Sequence, residues 1–265
     1  MSEPLRIAQL PMYDWPEIHE ANNQLWQCIY NELQVRDIDA PRTLDRSSPP
    51  EDVWRSQTLL ISQTCGLPLV TDLEGKVTVL GSFSYEGIAP VGSYHSVIVA
   101  RRDAEESLAE YAGHRVAVNS EDSYSGCLAL KCMINQLKPG GRFFAEMKIS
   151  GAHRNSARMV ATGDAELAAL DCVSWDLAQR YEPLAADLKV IAKTPPRPNL
   201  PLVTAKSASE EAVTKMREAL AAAAQKLSEE VRAKTKIIGF LPRGRADYDL
   251  IHDDFARCGN LLLAD

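Results

Sequence analysis

Asn119-Ser120-Glu121-Asp122-Ser123-Tyr124-Ser125-Gly126 follows the apolar run Val116-Ala117-Val118 and precedes residues at helical spacing. The pattern predicts a strand over 115–119 that delivers a hydroxyl-rich turn to a helix start. The first N–H groups of a helix have no intrahelical acceptors, the aligned peptide dipoles make that end partly positive, and serine hydroxyls add neutral donors. Such a turn either caps its helix or holds an oxyanion. Ser150-Gly151-Ala152-His153 repeats the arrangement downstream, with a strand expected over 144–149 and a helix beginning near His153. Two strand-to-helix turns can converge on one anion.

Around these turns the chain reads as an α/β series: strand 115–119, helix 125–138, strand 144–149, helix 153–162, strand 167–171 and helix 174–181. The alternation implies largely parallel pairing, with ligand chemistry at the strand ends. Cys127, Leu130, Ile134 and Leu137 mark the inner face of the first of these helices. Upstream, a strand over 5–10 leads to a helix from Pro16 to Leu33. A Pro-rich connector over 39–50 is followed by a short helix over 51–56 and a strand over 58–62. Gln63-Thr64-Cys65-Gly66 is a polar turn at that strand's carboxyl end. Strands over 76–85 and 94–101 and a short helix over 107–112 follow. Downstream, strands over 189–193 and 200–205 precede Ser207-Ala208-Ser209-Glu210, a capping-box pattern that opens one long helix to about Arg232. Val213, Met216, Leu220, Leu227 and Val231 form its apolar stripe.

With 265 residues, 45% hydrophobic and 25% charged, the chain has the composition of a globular protein of one large or two ordinary domains. No apolar run approaches the roughly 18 residues of a membrane span. A net charge of −7 without a Lys/Arg run argues against nucleic-acid binding through phosphates. Six scattered cysteines, Cys28, Cys65, Cys127, Cys132, Cys172 and Cys258, show no CxxC pair or metal-like spacing and read as free thiols of a reducing compartment. Met1-Ser2-Glu3-Pro4 offers no basic region, apolar core or cleavage site for export. The expected location is the cytoplasm, or the periplasm if a native N-terminus has been removed. No cofactor, metal site or metalloprotease HExxH motif is expected.

The ordered series Gly92 to Val99, Gly113 to Val118, the two serine turns and Ala168-Ala169-Leu170-Asp171-Cys172 resembles the phosphonate- and phosphite-binding branch of the type II periplasmic solute-binding proteins, over residues 7–204. The resemblance implies a two-lobed α/β fold with a ligand cleft between the lobes. Lobe 1 would comprise 1–100 plus 195–265 and lobe 2 would comprise 101–194, the pair closing on ligand. It also implies that Ser123, Ser125, Gly126 and the Tyr124 N–H grip an oxyanion, with His153 at the second turn. In the same reading Tyr94 lines the cleft and Asp171 faces a ligand amine. The residues alone leave His153 as ligand or satisfied cap, Tyr94 as cleft lining or packed aromatic, and Asp171 as ligand contact or helix cap near Ser174. Tyr13, Gln63 and Thr64 would close the site from the first lobe.

The expected function is capture of a small oxyanion, phosphonate-, phosphite- or phosphate-like, without covalent chemistry. An ABC transporter or a sensory protein is the expected partner. Two alternatives stand beside it: an enzyme on the same fold, for which Ser123 or Ser125 with His153 and Asp171 can be nominated as a triad, or a ligand-sensing adaptor. Solute-binding-like enzymes of menaquinone and thiamine-precursor synthesis make the first a real class, although the Cys-rich motif of the latter is missing.

Overall fold

A computed structural model describes residues 6–137 and 142–264. Leu5 and Lys138, at the ends of the expected first strand and first inner helix, lie outside these residues, as do Met1 to Pro4. The chain forms two compact units, Met1–Ser93 with Pro198–Asp249 and Tyr94–Arg197 with Leu250–Asp265.

The first unit is built on a five-stranded sheet in the order Ile7–Ala8, Leu59–Gln63, Leu202–Ala205, Val77–Tyr85, Ile237–Pro242. The first pair is parallel and the other three pairings are antiparallel. Every residue of Leu59–Gln63 and of Leu202–Ala205 is buried, as central strands covered on both faces must be. The helix His19–Val35 packs on Glu210–Lys226, bringing together two apolar stripes, Leu25, Ile29 and Leu33 with Val213, Met216 and Leu220.

The long helix expected to run to about Arg232 breaks into Glu210–Lys226 and Glu229–Thr235. Ser228 is the reason: its hydroxyl accepts from the Val231 N–H and starts a second helix, while Leu227 leaves helical geometry at ψ 135°. The cap of the first helix is likewise Ser209, which accepts from the Ala212 N–H at 3.2 Å.

The second unit carries a sheet in the order Glu146–Ile149, Arg115–Val118, Leu167–Asp171, Ser96–Arg101, Leu188–Lys193. Its first three strands are parallel, as the sequence pattern implies. Ser96–Arg101 instead pairs antiparallel with both its neighbours, so the sheet is mixed. The pairing also explains why the unit begins earlier than expected, because Ser96–Arg101 is ordered by Leu167–Asp171 and Leu188–Lys193. Residues 250–265 belong to this unit too: the Leu263 carbonyl accepts from the Phe143 and Phe144 N–H groups, and Leu263 joins a core of Ile98, Val116, Val118, Leu130 and Ile134. Leu137 falls outside that core and is 49% exposed.

In the first unit, Asn199 fixes the chain where it returns to the sheet. Its fully buried side chain donates from Nδ2 to the Phe83 and Ser93 carbonyls at 3.0 and 3.2 Å, and the main-chain carbonyl of Asn199 accepts from the Tyr248 hydroxyl at 2.8 Å. Asn199→Ala leaves two buried carbonyls unsatisfied and is expected to cost about 2 to 4 kcal/mol in urea denaturation, with Tyr248→Phe costing roughly 1 kcal/mol.

Candidate functional site

The strand Arg115–Val118 ends at Asn119, and the chain turns through Ser120 to Ser123 into a single π turn, Tyr124–Leu128, that continues as the helix Ala129–Leu137. The register is set by two i→i+5 bonds, Leu128 N–H to the Ser123 carbonyl and Ala129 N–H to the Tyr124 carbonyl. Ser123 is the cap, its hydroxyl accepting from the Gly126 N–H at 3.1 Å. Gly126 therefore spends its N–H inside the turn, whereas the Ser123 hydroxyl keeps its own hydrogen as a donor.

Gly126 has a second reason to be glycine. A methyl group on its Cα would lie 1.7 Å from Asn119 Oδ1 and 3.2 Å from His153 Cε1. The end of the strand and the start of the next helix thus press on one backbone atom.

The second turn is stitched to the first by its backbone. Ser150 N–H donates to the Val118 carbonyl at 2.8 Å and Gly151 N–H to the Asn119 carbonyl at 3.0 Å, with Gly151 in the left-handed region at φ +82°. His153 then opens the helix His153–Thr162 and lies 3.0 Å through Nε2 from the Ser125 Oγ. Although part of the residue is exposed, Nδ1 is sealed from water. Burial lowers the imidazole to about 4, a backbone interaction at Ala169 acting in the opposite direction. His153 is therefore neutral at physiological pH and can either donate to or accept from Ser125.

The structure thus brings Ser123, Tyr124, Ser125, Gly126 and His153 together. Ser96, on the neighbouring strand, donates its hydroxyl to the Ser125 carbonyl at 2.8 Å, and its own N–H donates to Thr194 Oγ1 at 2.9 Å. Tyr94 packs at 6.2 Å, ring centroid to centroid, on Tyr124. Asp171, 1% exposed, caps the helix Cys172–Tyr181 by accepting from the Val173 and Ser174 N–H groups at 2.7 and 3.0 Å. The helix starts two residues earlier than the sequence pattern suggests because Asp171 is its N-cap.

Tyr13, Gln63 and Thr64 belong to the first unit. The 3-10 turn Pro11–Tyr13 packs on the strand Leu59–Gln63, Tyr13 meets Tyr85 edge-on at 5.6 Å, and Thr64 N–H donates to the Pro201 carbonyl. All three residues are buried.

Asp254 is a functional-site neighbour that the sequence motifs leave unmarked. It is 2% exposed and takes Nε and Nη2 of Arg197 at 2.7 and 2.9 Å, Nη2 of Arg257 at 2.6 Å and the Tyr124 hydroxyl at 2.7 Å. Burial first, then the Asp254 charge, raise the Tyr124 phenol well above its usual range, so it remains a donor. The signal lay in the spacing Ile251, Asp254, Cys258, which puts a carboxylate on the buried face of a helix.

Chemically, the assembled turn offers hydroxyls and a neutral imidazole, and among the described residues no cationic side chain is hydrogen-bonded to Ser123, Ser125 or His153. The Cys127 and Cys172 thiols beside it are raised by burial to about 11 and 12 and are protonated at neutral pH. Among the described residues no cluster of His, Cys, Asp and Glu could hold a metal ion, and no helix is long and apolar enough to cross a membrane.

The family model for the phosphonate periplasmic substrate-binding protein of ABC transporters matches residues 62–248. The chain belongs to that family. The matched stretch contains both serine turns, His153 and Asp171, and excludes Tyr13 and Asp254. Solved structures agree in fold. PhnD1 from Prochlorococcus marinus, in complex with methylphosphonate, superposes with a TM-score of 0.75 at 16% identity, covering 95% of this chain and 97% of its own. A binding-protein component of an ABC phosphonate transporter from Pseudomonas aeruginosa gives 0.72 at 17% identity, covering 96% and 86%. A Xanthomonas citri protein bound to ATP gives 0.70 at 17%, covering 94% and 98%. No curated protein matches the sequence. The phosphonate-family chain accordingly has the two-lobed α/β fold of the periplasmic binding proteins.

Two consequences can be measured. Gly126→Ala forces Asn119 or the π turn to move and is expected to destabilise the fold by about 1 to 3 kcal/mol in urea denaturation. His153 is lowered to about 4 in the folded chain, against about 6.5 unfolded, so the unfolded state takes up its proton first as pH falls. Its contribution is complete above about pH 6.5 and is lost as pH drops towards 4, roughly 2 to 3 kcal/mol between pH 7.5 and 4.5. Denaturation at those two pH values should show His153→Gln losing less stability than the parent by about that amount.

Proposed function

We propose that this chain binds a small phosphonate-like oxyanion at the Ser123–Gly126 turn, as the solute-binding component of an ABC transporter. The observation that supports the reading is the stitched pair of helix starts, at which the Ser123 hydroxyl caps the Gly126 N–H and the Ser125 hydroxyl lies 3.0 Å from His153 Nε2. Neutral donors suit a tetrahedral anion because they meet its oxygens without a fixed counter-charge. In this reading Ser125 and His153 act as a pair: when Nε2 donates to the Ser125 Oγ, the serine hydrogen is released for the anion. Gly126 makes the room, Tyr94 backs the turn through Tyr124, and Asp171 holds its helix start at the rim, where a cationic ligand tail would meet it. Tyr13, Gln63 and Thr64 are proposed to complete the site from the first unit when the two units close on ligand. Family membership and the methylphosphonate complex of PhnD1 support the ligand class.

The test is titration calorimetry at neutral pH with methylphosphonate, phosphite and phosphate. At least one is expected to bind, and Ser125→Ala, which removes a charge-assisted hydrogen bond, is expected to weaken it by about 10- to 100-fold. Heat-silent titrations with all three, or unchanged affinity in the folded Ser125→Ala protein, would overturn the reading.

A further inference from the structure

Two cysteines that stand far apart in the sequence meet in the second unit. Cys132 lies in the helix Ala129–Leu137 and Cys258 ends the helix Asp249–Cys258. The two helices are held together on either side of the pair. Lys131 Nζ donates to the Gly259 carbonyl at 3.1 Å, and the Cys132 Sγ lies 3.7 Å from the Asp254 carbonyl, one helical turn before Cys258. From that helix, Cys258 and the Arg257 guanidinium, itself anchored on Asp254, are the side chains that interact with Cys132. Both residues are buried, Cys258 completely. The other cysteines stand elsewhere: Cys28 and Cys65 belong to the first unit, while Cys127 and Cys172 face core and a helix start.

We propose that Cys132 and Cys258 are a disulfide pair, joined when the chain folds in an oxidising environment and tying the C-terminal helix to the helix that follows the serine turn. In the step, one sulfur–sulfur bond forms between the two cysteines while that of a small disulfide such as oxidised glutathione breaks. The two cysteines lose two protons and two electrons, and the glutathione sulfurs leave as two thiols. The bond is expected to form during folding rather than afterwards, because burial raises the Cys132 thiol to about 12 once the fold is complete and leaves almost no thiolate to react. The inference does not depend on what the serine turn binds.

The full chain should be refolded from urea with oxidised and reduced glutathione, acid-quenched, alkylated under denaturing conditions and mapped by mass spectrometry. The expected result is an intact mass lower by about 2 Da before alkylation, four alkylated cysteines, and one linked peptide pair containing Cys132 and Cys258. Closing so long a loop is also expected to raise the melting temperature of the oxidised protein by at least about 5 °C over the reduced protein. The difference should vanish in a Cys132→Ala/Cys258→Ala double variant. Six alkylated cysteines after oxidative refolding, or a linkage made by any other pair, would overturn the proposal. Peptide mapping needs no variant, so it decides the question even if the double variant folds poorly.

Discussion

The second unit depends on the absence of a side chain at Gly126, where a β-carbon would lie 1.7 Å from Asn119 Oδ1 and 3.2 Å from His153 Cε1. Because no side chain fits between them, the carboxyl end of one strand, the π turn that follows it and the start of the next helix occupy fixed places relative to one another. The backbone bonds from Ser150 and Gly151 to Val118 and Asn119 reinforce that arrangement from the other side. Hydroxyls on a free loop must be ordered before they can act together, whereas here the order is already in the fold.

Behind the turn, a single carboxylate sets the electrostatics. A buried anion is costly unless each of its oxygens is satisfied, and Asp254 is satisfied by two guanidinium groups and one phenol. Arg197 and Asp254 each lie close in sequence to a point where the chain passes between units. The same residue that anchors Tyr124 thus also holds Arg197, where the chain leaves this unit, and itself stands just after the point where the chain returns to it. Breaking one arm leaves the charge buried with fewer partners, so the ring of Tyr124, the two arginines and the C-terminal helix respond together.

Much of this was legible in the amino-acid order. The strand 167–171 and the helix 153–162 lie where the periodicity puts them, because Asp171 and Gly163 are strong local stop and start signals. The serine turns were legible for the same reason, as hydroxyls before a helical run. What the order could not show was pairing across distance. The antiparallel direction of Ser96–Arg101 depends on which strands flank it, and the membership of residues 250–265 depends on where Leu263 finds partners. Asp254 is an ordinary polar residue in its own neighbourhood, and Asn119 and Ser96, although they stand inside the stretches the sequence singles out, gain their partners, as Asp254 does, only from residues far along the chain. The break at Ser228 was visible in principle, since a serine followed by two glutamates is a helix start, but the Ala-rich run around it reads as continuous helix.

The π turn has an evolutionary consequence. A five-residue repeat holds one residue more than an ordinary helical turn, and such bulges are readily regarded as single-residue insertions. Removing any one residue between Tyr124 and Leu128 would leave a better-hydrogen-bonded helix with little net rotation beyond it, because a π turn spreads one revolution over one residue more than an α turn. Leu130 and Ile134 would keep to the core, but the residues left in the turn would change their facing and Ser125 would lose its place opposite His153. Lineages of this chain should therefore keep both the length of that turn and the glycine at position 126.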